Sequence, residues 1–159
     1  MFWCLFIMDF CSVFPLFMLS SVWKTVGLHV GGIDDYTLTL IGSLGSVANG
    51  LSRVVWGPVQ DATCFTFVYK TVLITEVLVC VSLYYAVKVS SFLYMIVVLL
   101  GFTCLGAHFV MFPGVIVKMF GMNAGGQLYS IMYIAYGMSS ILGLIVYKTV
   151  SYYLQESAD

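Results

Sequence analysis

The sequence predicts an all-α membrane protein with about five transmembrane helices. Composition is the first reason. Apolar residues make up 62% of the 159 residues and charged residues 8%, with a mean hydropathy of +1.05. Soluble domains carry about a quarter charged residues, so this chain cannot cover a soluble globule with polar side chains. The second reason is run length. Several uncharged stretches reach the ~20 residues that cross a bilayer, and a span in hydrocarbon must bond its own backbone groups. The third is the lack of alternation. Leu93-Tyr94-Met95-Ile96-Val97-Val98-Leu99-Leu100 does not switch between apolar and polar residues, as a membrane barrel strand would.

The elements follow in order. The first span is expected over about 2–25, and a Gly-rich acidic loop follows, with Gly31-Gly32-Ile33-Asp34-Asp35 at its centre. The second is expected over 37–59 and the third over 70–87. Lys88-Val89-Ser90-Ser91 makes a short turn into the fourth, 92–117. The segment 118–125, rich in Gly and containing Asn123, is expected as a connection to the fifth span, 126–150. A tail over 151–159 turns polar at its end. Two small-residue stripes, Gly42/Ser46/Gly50 and Ala135/Ser139/Gly143, recur every four residues and are expected to let helices approach closely. Trp3, Trp23, Tyr84-Tyr85 and Tyr152-Tyr153 fall near span ends, where aromatic rings anchor at the interface.

The charges exclude several functions. Six Lys and Arg against seven Asp and Glu leave a net charge of −1. No basic patch exists for nucleic acid or anionic lipid. Cys4, Cys11, Cys64, Cys80 and Cys104 form no CxxC and are odd in number, so they read as small buried hydrophobes. No phosphate loop, nucleophile elbow or metal-spaced His/Glu pair occurs. The expectation is a protein that is not an enzyme and holds no cofactor and no metal. The N-terminus lacks a basic n-region and a small-residue cleavage site, and so does not read as a signal peptide. Met1 opens straight into an apolar run, which suits a fragment of a longer protein.

Ionisable residues inside a span are functional candidates by default. They are Asp9, Arg53, Glu76 and His108. At the helical rise all four fall in one belt, about 9–14 Å from the same membrane surface. Arg53 has two readings. It faces a water-filled pathway and binds an anion, for which its planar fork suits a carboxylate. Alternatively it forms a structural ion pair with Asp9 or Glu76. A haem or metal site would want a second imidazole at the depth of His108, but His29 is in or near a loop on the other side, so His108 reads as a histidine bonded to a neighbour.

The second span and its exit read Asn49-Gly50-Leu51-Ser52-Arg53-Val54-Val55-Trp56-Gly57-Pro58-Val59-Gln60-Asp61. This resembles the eighth helix of major facilitator superfamily transporters, in the branch of oxalate/formate antiporters and monocarboxylate carriers. Gly106-Ala107-His108-Phe109-Val110-Met111-Phe112-Pro113-Gly114, followed by Phe120-Gly121, is similar to that branch's tenth helix. Gln127-Leu128-Tyr129-Ser130-Ile131-Met132-Tyr133-Ile134-Ala135-Tyr136-Gly137 is similar to its eleventh.

The resemblance implies an incomplete six-helix bundle of the major facilitator fold, helices seven to eleven of the C-terminal half. In a complete transporter two such bundles rock about a central site. It implies that Arg53 grips a substrate carboxylate, with Tyr136 and His108 lining the cavity. Where the antiporters place a lysine on the eleventh helix, this chain has Tyr136, so a small organic anion with one carboxylate is expected in place of a dicarboxylate. Gly57 and Asp61 match the family's gating loop, although only Lys70 follows where a basic cluster is usual. Proton coupling falls to Glu76 or His108, with Asp9 and Glu76 the ion-pair candidates. The expected partners are the lipid bilayer, the anion, and the missing N-terminal bundle or another membrane subunit. The rival function is a structural or accessory subunit of a membrane complex, derived from a truncated transporter.

Overall fold

A computed structural model describes residues 1–156 of the chain, with side chains through residue 149 and at Tyr152. Among the described residues, four helices are long and apolar enough to cross a membrane. They are α1 (Phe2–His29), α2 (Asp35–Ala62), α3 (Phe65–Val89) and α4 (Ser91–Glu156). Of 28 residues each, α1 and α2 run about 42 Å, longer than a hydrocarbon core of about 30 Å. The helices therefore extend past the spans expected from hydropathy.

The connections are short, and each has a local cause. After α1, Gly32 takes a left-handed φ of 60° and Ile33 turns back so that its N–H donates to Gly27 O at 3.1 Å. Asp34 then caps α2. Its carboxylate accepts from Thr37 N at 3.0 Å and from Thr37 Oγ1 at 2.7 Å, satisfying a backbone donor that the first helical turn leaves open. Between α2 and α3 only Thr63 and Cys64 are non-helical. The ten-residue loop expected over 60–69 is corrected here. Phe65, Val68 and Tyr69 pack into the core from the first turn of α3, and that burial extends the helix to include them. A single residue, Ser90, separates α3 from α4.

The 66-residue α4 is broken at Gly121, where φ is 79° and ψ is 165°. Only glycine adopts such angles without strain. The two arms, residues 91–120 and 122–156, fold back on one another. The Tyr136 hydroxyl donates to His108 O at 3.1 Å although 28 residues separate them; a straight helix would hold them about 42 Å apart. The connection expected over 118–125 is thus reduced to one non-helical glycine.

α4 is the hub. α1, α2 and α3 each pack mainly against α4 and barely against one another. One core joins Leu16, Val72, Cys104, Met111, Phe112 and Met132, and a second joins Trp23, Leu38, Val79, Tyr94 and Val98. The stripe Ala135/Ser139/Gly143 is buried. Ser139 Oγ donates to Phe10 O at 3.1 Å, and Gly143 lies against the backbone of Met18. The other stripe is corrected in part. Gly42 lies close against the Trp23 ring, but Ser46 and Gly50 are exposed, and α2 meets α4 through Gly45, Asn49, Ser52 and Gln60.

Two further expectations change. Trp23 is buried against Phe102, and its carbonyl accepts the Tyr94 hydroxyl, so it is a core residue. Cys4, Cys11, Cys64 and Cys80 are exposed and only Cys104 is buried, because the outer helix faces of a membrane protein are apolar as well. Residues 157–159 of the expected polar tail, and the side chain of Tyr153, lie outside the described residues.

Candidate functional site

Arg53 stands on an exposed face of α2 and opens onto a groove between α2, α4 and α1. The groove has a volume of about 280 Å³ and is lined by Phe17, Ser46, Asn49, Arg53, Phe102, Leu105 and Phe109. The guanidinium is held from two sides. Its Nη2 donates to Asn49 Oδ1 at 3.0 Å, one helical turn away, and its carbon lies over the Phe109 ring at 4.4 Å from the centroid. Asn49 is fixed in turn by donating its Nδ2 to Phe102 O at 3.1 Å. Arg53 is therefore a positioned cation with donors left over.

The expected pairing of Arg53 with Asp9 or Glu76 is not formed. Among the described residues the ion pairs are Lys24–Asp35 at 2.8 Å and Lys118–Asp61 at 2.9 Å. Both are exposed. Asp61 lies in the last turn of α2 and ties that end to α4, so it is helical and not part of a loop. Gly57 faces Val110 across the same helix pair.

Tyr136 and His108 do not line the groove, which corrects their expected place. Both are buried. The Tyr136 hydroxyl is engaged by His108 O, and its ring stacks on Phe109 with centroids 4.8 Å apart. His108 Nδ1 lies 3.0 Å from Cys104 O and Nε2 lies 3.0 Å from Ser12 Oγ. A carbonyl can only accept, so Nδ1 carries a hydrogen. Beside these groups sits Asp9, fully buried, with neither carboxylate oxygen bonded to a protein donor. Glu76 is buried nearby on α3 with Oε2 likewise unpartnered. Of the belt expected from depth, Asp9 and His108 meet around Ser12 and Tyr136, and Arg53 touches that group through Phe109.

Sequence reasoning missed Asn49, Phe109, Phe102 and Ser12 as parts of these two groups. Asn49 was detectable, because a residue four before an arginine on a helix shares its face. Phe109 and Ser12 were not, since their roles depend on how α1 and α4 pack. Two other surface depressions, between Pro15 and Leu83 and around Leu73 to Leu78, are lined by apolar side chains and Cys80.

The chain is similar to Apicoplast pyruvate carrier 1 of Toxoplasma gondii, at 25% identity over 136 residues, which cover 83% of this chain. That match covers 25% of the carrier's own length, so the chain spans about a quarter of this relative. No protein-family model matches, and no solved structure matches. The long apolar helices and this distant carrier homologue together mark an integral, multi-pass membrane protein.

Proposed function

We propose that this chain is part of a carrier for a small organic anion with one carboxylate, and that Arg53 binds that carboxylate. The observation that carries the reading is Arg53 itself. A guanidinium fixed by Asn49 and Phe109, open to a groove and without a carboxylate of its own, is matched to a planar anion. The groove lining supplies one cation, so it satisfies one carboxylate. A second would be desolvated without a partner. The name of the Toxoplasma gondii relative, a pyruvate carrier, supports a monocarboxylate.

The break at Gly121 and the return of Tyr129 and Tyr136 to Phe109 and His108 support reading α4 as two spans, and hence five spans in all. That arrangement agrees with the resemblance to the C-terminal bundle of a major facilitator transporter, in which a second bundle would close the open side of the groove. The bilayer, the anion and that second bundle, or another membrane subunit, are then its partners. The reading is one of transport, not of an enzyme.

Equilibrium binding to the purified protein tests the substrate class. Pyruvate should bind, and oxalate should compete no better than pyruvate. Markedly tighter binding of oxalate would contradict a site with one cation.

A further inference from the structure

We propose that Asp9 and Tyr136 form a proton-exchange site whose state is passed to Arg53 through Phe109. The inference rests on the carrier reading above, and it concerns groups that the anion groove does not use.

Its basis is a count of hydrogens among buried groups. The Tyr136 hydroxyl has one hydrogen and lies beside two acceptors, His108 O at 3.1 Å and the Asp9 carboxyl. The Ser12 hydroxyl has one hydrogen and also meets two groups, Asp9 O at 3.2 Å and His108 Nε2 at 3.0 Å. The His108 Nδ1 hydrogen is committed to Cys104 O. No hydrogen is left for the Asp9 carboxyl, and neither of its oxygens has a protein donor. A buried polar atom without a partner is destabilising.

No fixed cation supplies the lack. The groups within electrostatic reach of Asp9 are Tyr69 on α3 and Tyr129 and Tyr136 on α4, and Ser12 links its backbone oxygen to His108. Glu76 and Cys11 share the Tyr69 surroundings, and Tyr133 those of Tyr129 and Tyr136. The cation of α2, Arg53, is held by Asn49 and Phe109. Among the described residues no cluster of three or more metal-ligating side chains occurs. One added proton completes the network. Placed on Asp9, it makes an O–H that donates to Tyr136 Oη, which goes on donating to His108 O. When that proton leaves, the Tyr136 hydrogen is drawn to the carboxylate and releases the His108 carbonyl.

The change does not stay local. Tyr136 stacks on Phe109 at 4.8 Å, and the Arg53 guanidinium rests over that same Phe109 ring at 4.4 Å. Loss of the bond to His108 O frees the Tyr136 ring to shift against Phe109, and any such shift moves the platform under the anion-binding cation. Coupling of this kind is reciprocal, so anion binding at Arg53 favours one proton state of Asp9. A proton entering on Asp9 with the anion would leave from the same oxygen after the anion is released.

Two readouts on the complete carrier that contains this chain, purified into lipid vesicles, test this. Infrared difference spectroscopy should show two buried carboxylic-acid C=O components, one lost in Asp9→Asn and the other in Glu76→Gln, with the Asp9 component titrating in the parent protein and persisting in Glu76→Gln. Asp9→Glu should keep a band with a displaced midpoint, and Tyr136→Phe should move the midpoint by about one pH unit. The site is overturned if no component is lost in Asp9→Asn, or if the Asp9 component keeps its midpoint in both Asp9→Glu and Tyr136→Phe. With pyruvate as the probe, uptake should vary by up to about tenfold per pH unit and become flat in Asp9→Asn. Retained pH dependence in that variant also overturns the proposal. Normal pyruvate uptake by Arg53→Gln would instead sink the carrier reading and leave the infrared result to stand or fall alone.

Discussion

Gly106→Ala should loosen the joint that presents Arg53, while Gly50→Ala on α2 should not. A methyl group at Gly106 would meet the Ser52 hydroxyl and, at 2.5 Å, the backbone oxygen of Asn49. The hydroxyl can rotate away, but the carbonyl belongs to α2 and moves only with the helix. Overpacking of this kind costs about 1–3 kcal/mol. Alanine in a helix regains about 1 kcal/mol over glycine, so the net loss is roughly 0–2 kcal/mol. A methyl at Gly50 meets nothing within 4 Å and keeps only the gain. The difference between the two variants isolates the steric contribution, about 1–3 kcal/mol, or roughly 5- to 150-fold in the folding equilibrium. Equilibrium unfolding in detergent measures it. Equal stability of the two variants would refute the close crossing of α2 on α4, and with it the fixed placement of Asn49 and Arg53.

Asp34→Ala should destabilise the start of α2, and the effect should depend on pH. Hydrogen bonds from Thr37 hold the Asp34 carboxyl below the ordinary aspartate value of 3.8, so the cap's contribution is present above that value. It is lost as pH falls through the lower folded value. Thermal unfolding of parent and variant should thus differ at neutral pH and converge in strong acid; a constant difference would contradict the cap. Phe109→Leu should weaken pyruvate binding. A cation–π contact contributes about 0.5–2 kcal/mol, which corresponds to roughly 2- to 30-fold in affinity. Unchanged affinity in equilibrium binding would remove Phe109 as the platform for Arg53.

The helical, membrane-spanning character was legible because apolar run length and lack of charge decide it without tertiary contacts. Helix ends were less so. Lys70 suggested a loop before α3, yet Phe65 and Val68 bury enough apolar surface to extend the helix past it. In a bilayer both the core and the lipid face are apolar, and hydropathy therefore could not separate the buried stripe at Ala135/Ser139/Gly143 from the exposed one at Ser46/Gly50. Arg53 was legible as a candidate from its position within a span. The burial of Tyr136 was not, because it follows from the reversal at Gly121, which brings its hydroxyl to His108 O.

The most direct test of the central claim is pyruvate uptake into vesicles carrying the complete carrier that contains this chain, compared between the parent and Arg53→Gln. Glutamine keeps polarity and most of the length of the side chain but has no charge. The account predicts that uptake falls to background while the folded protein remains in the membrane. Uptake by Arg53→Gln equal to that of the parent would contradict it.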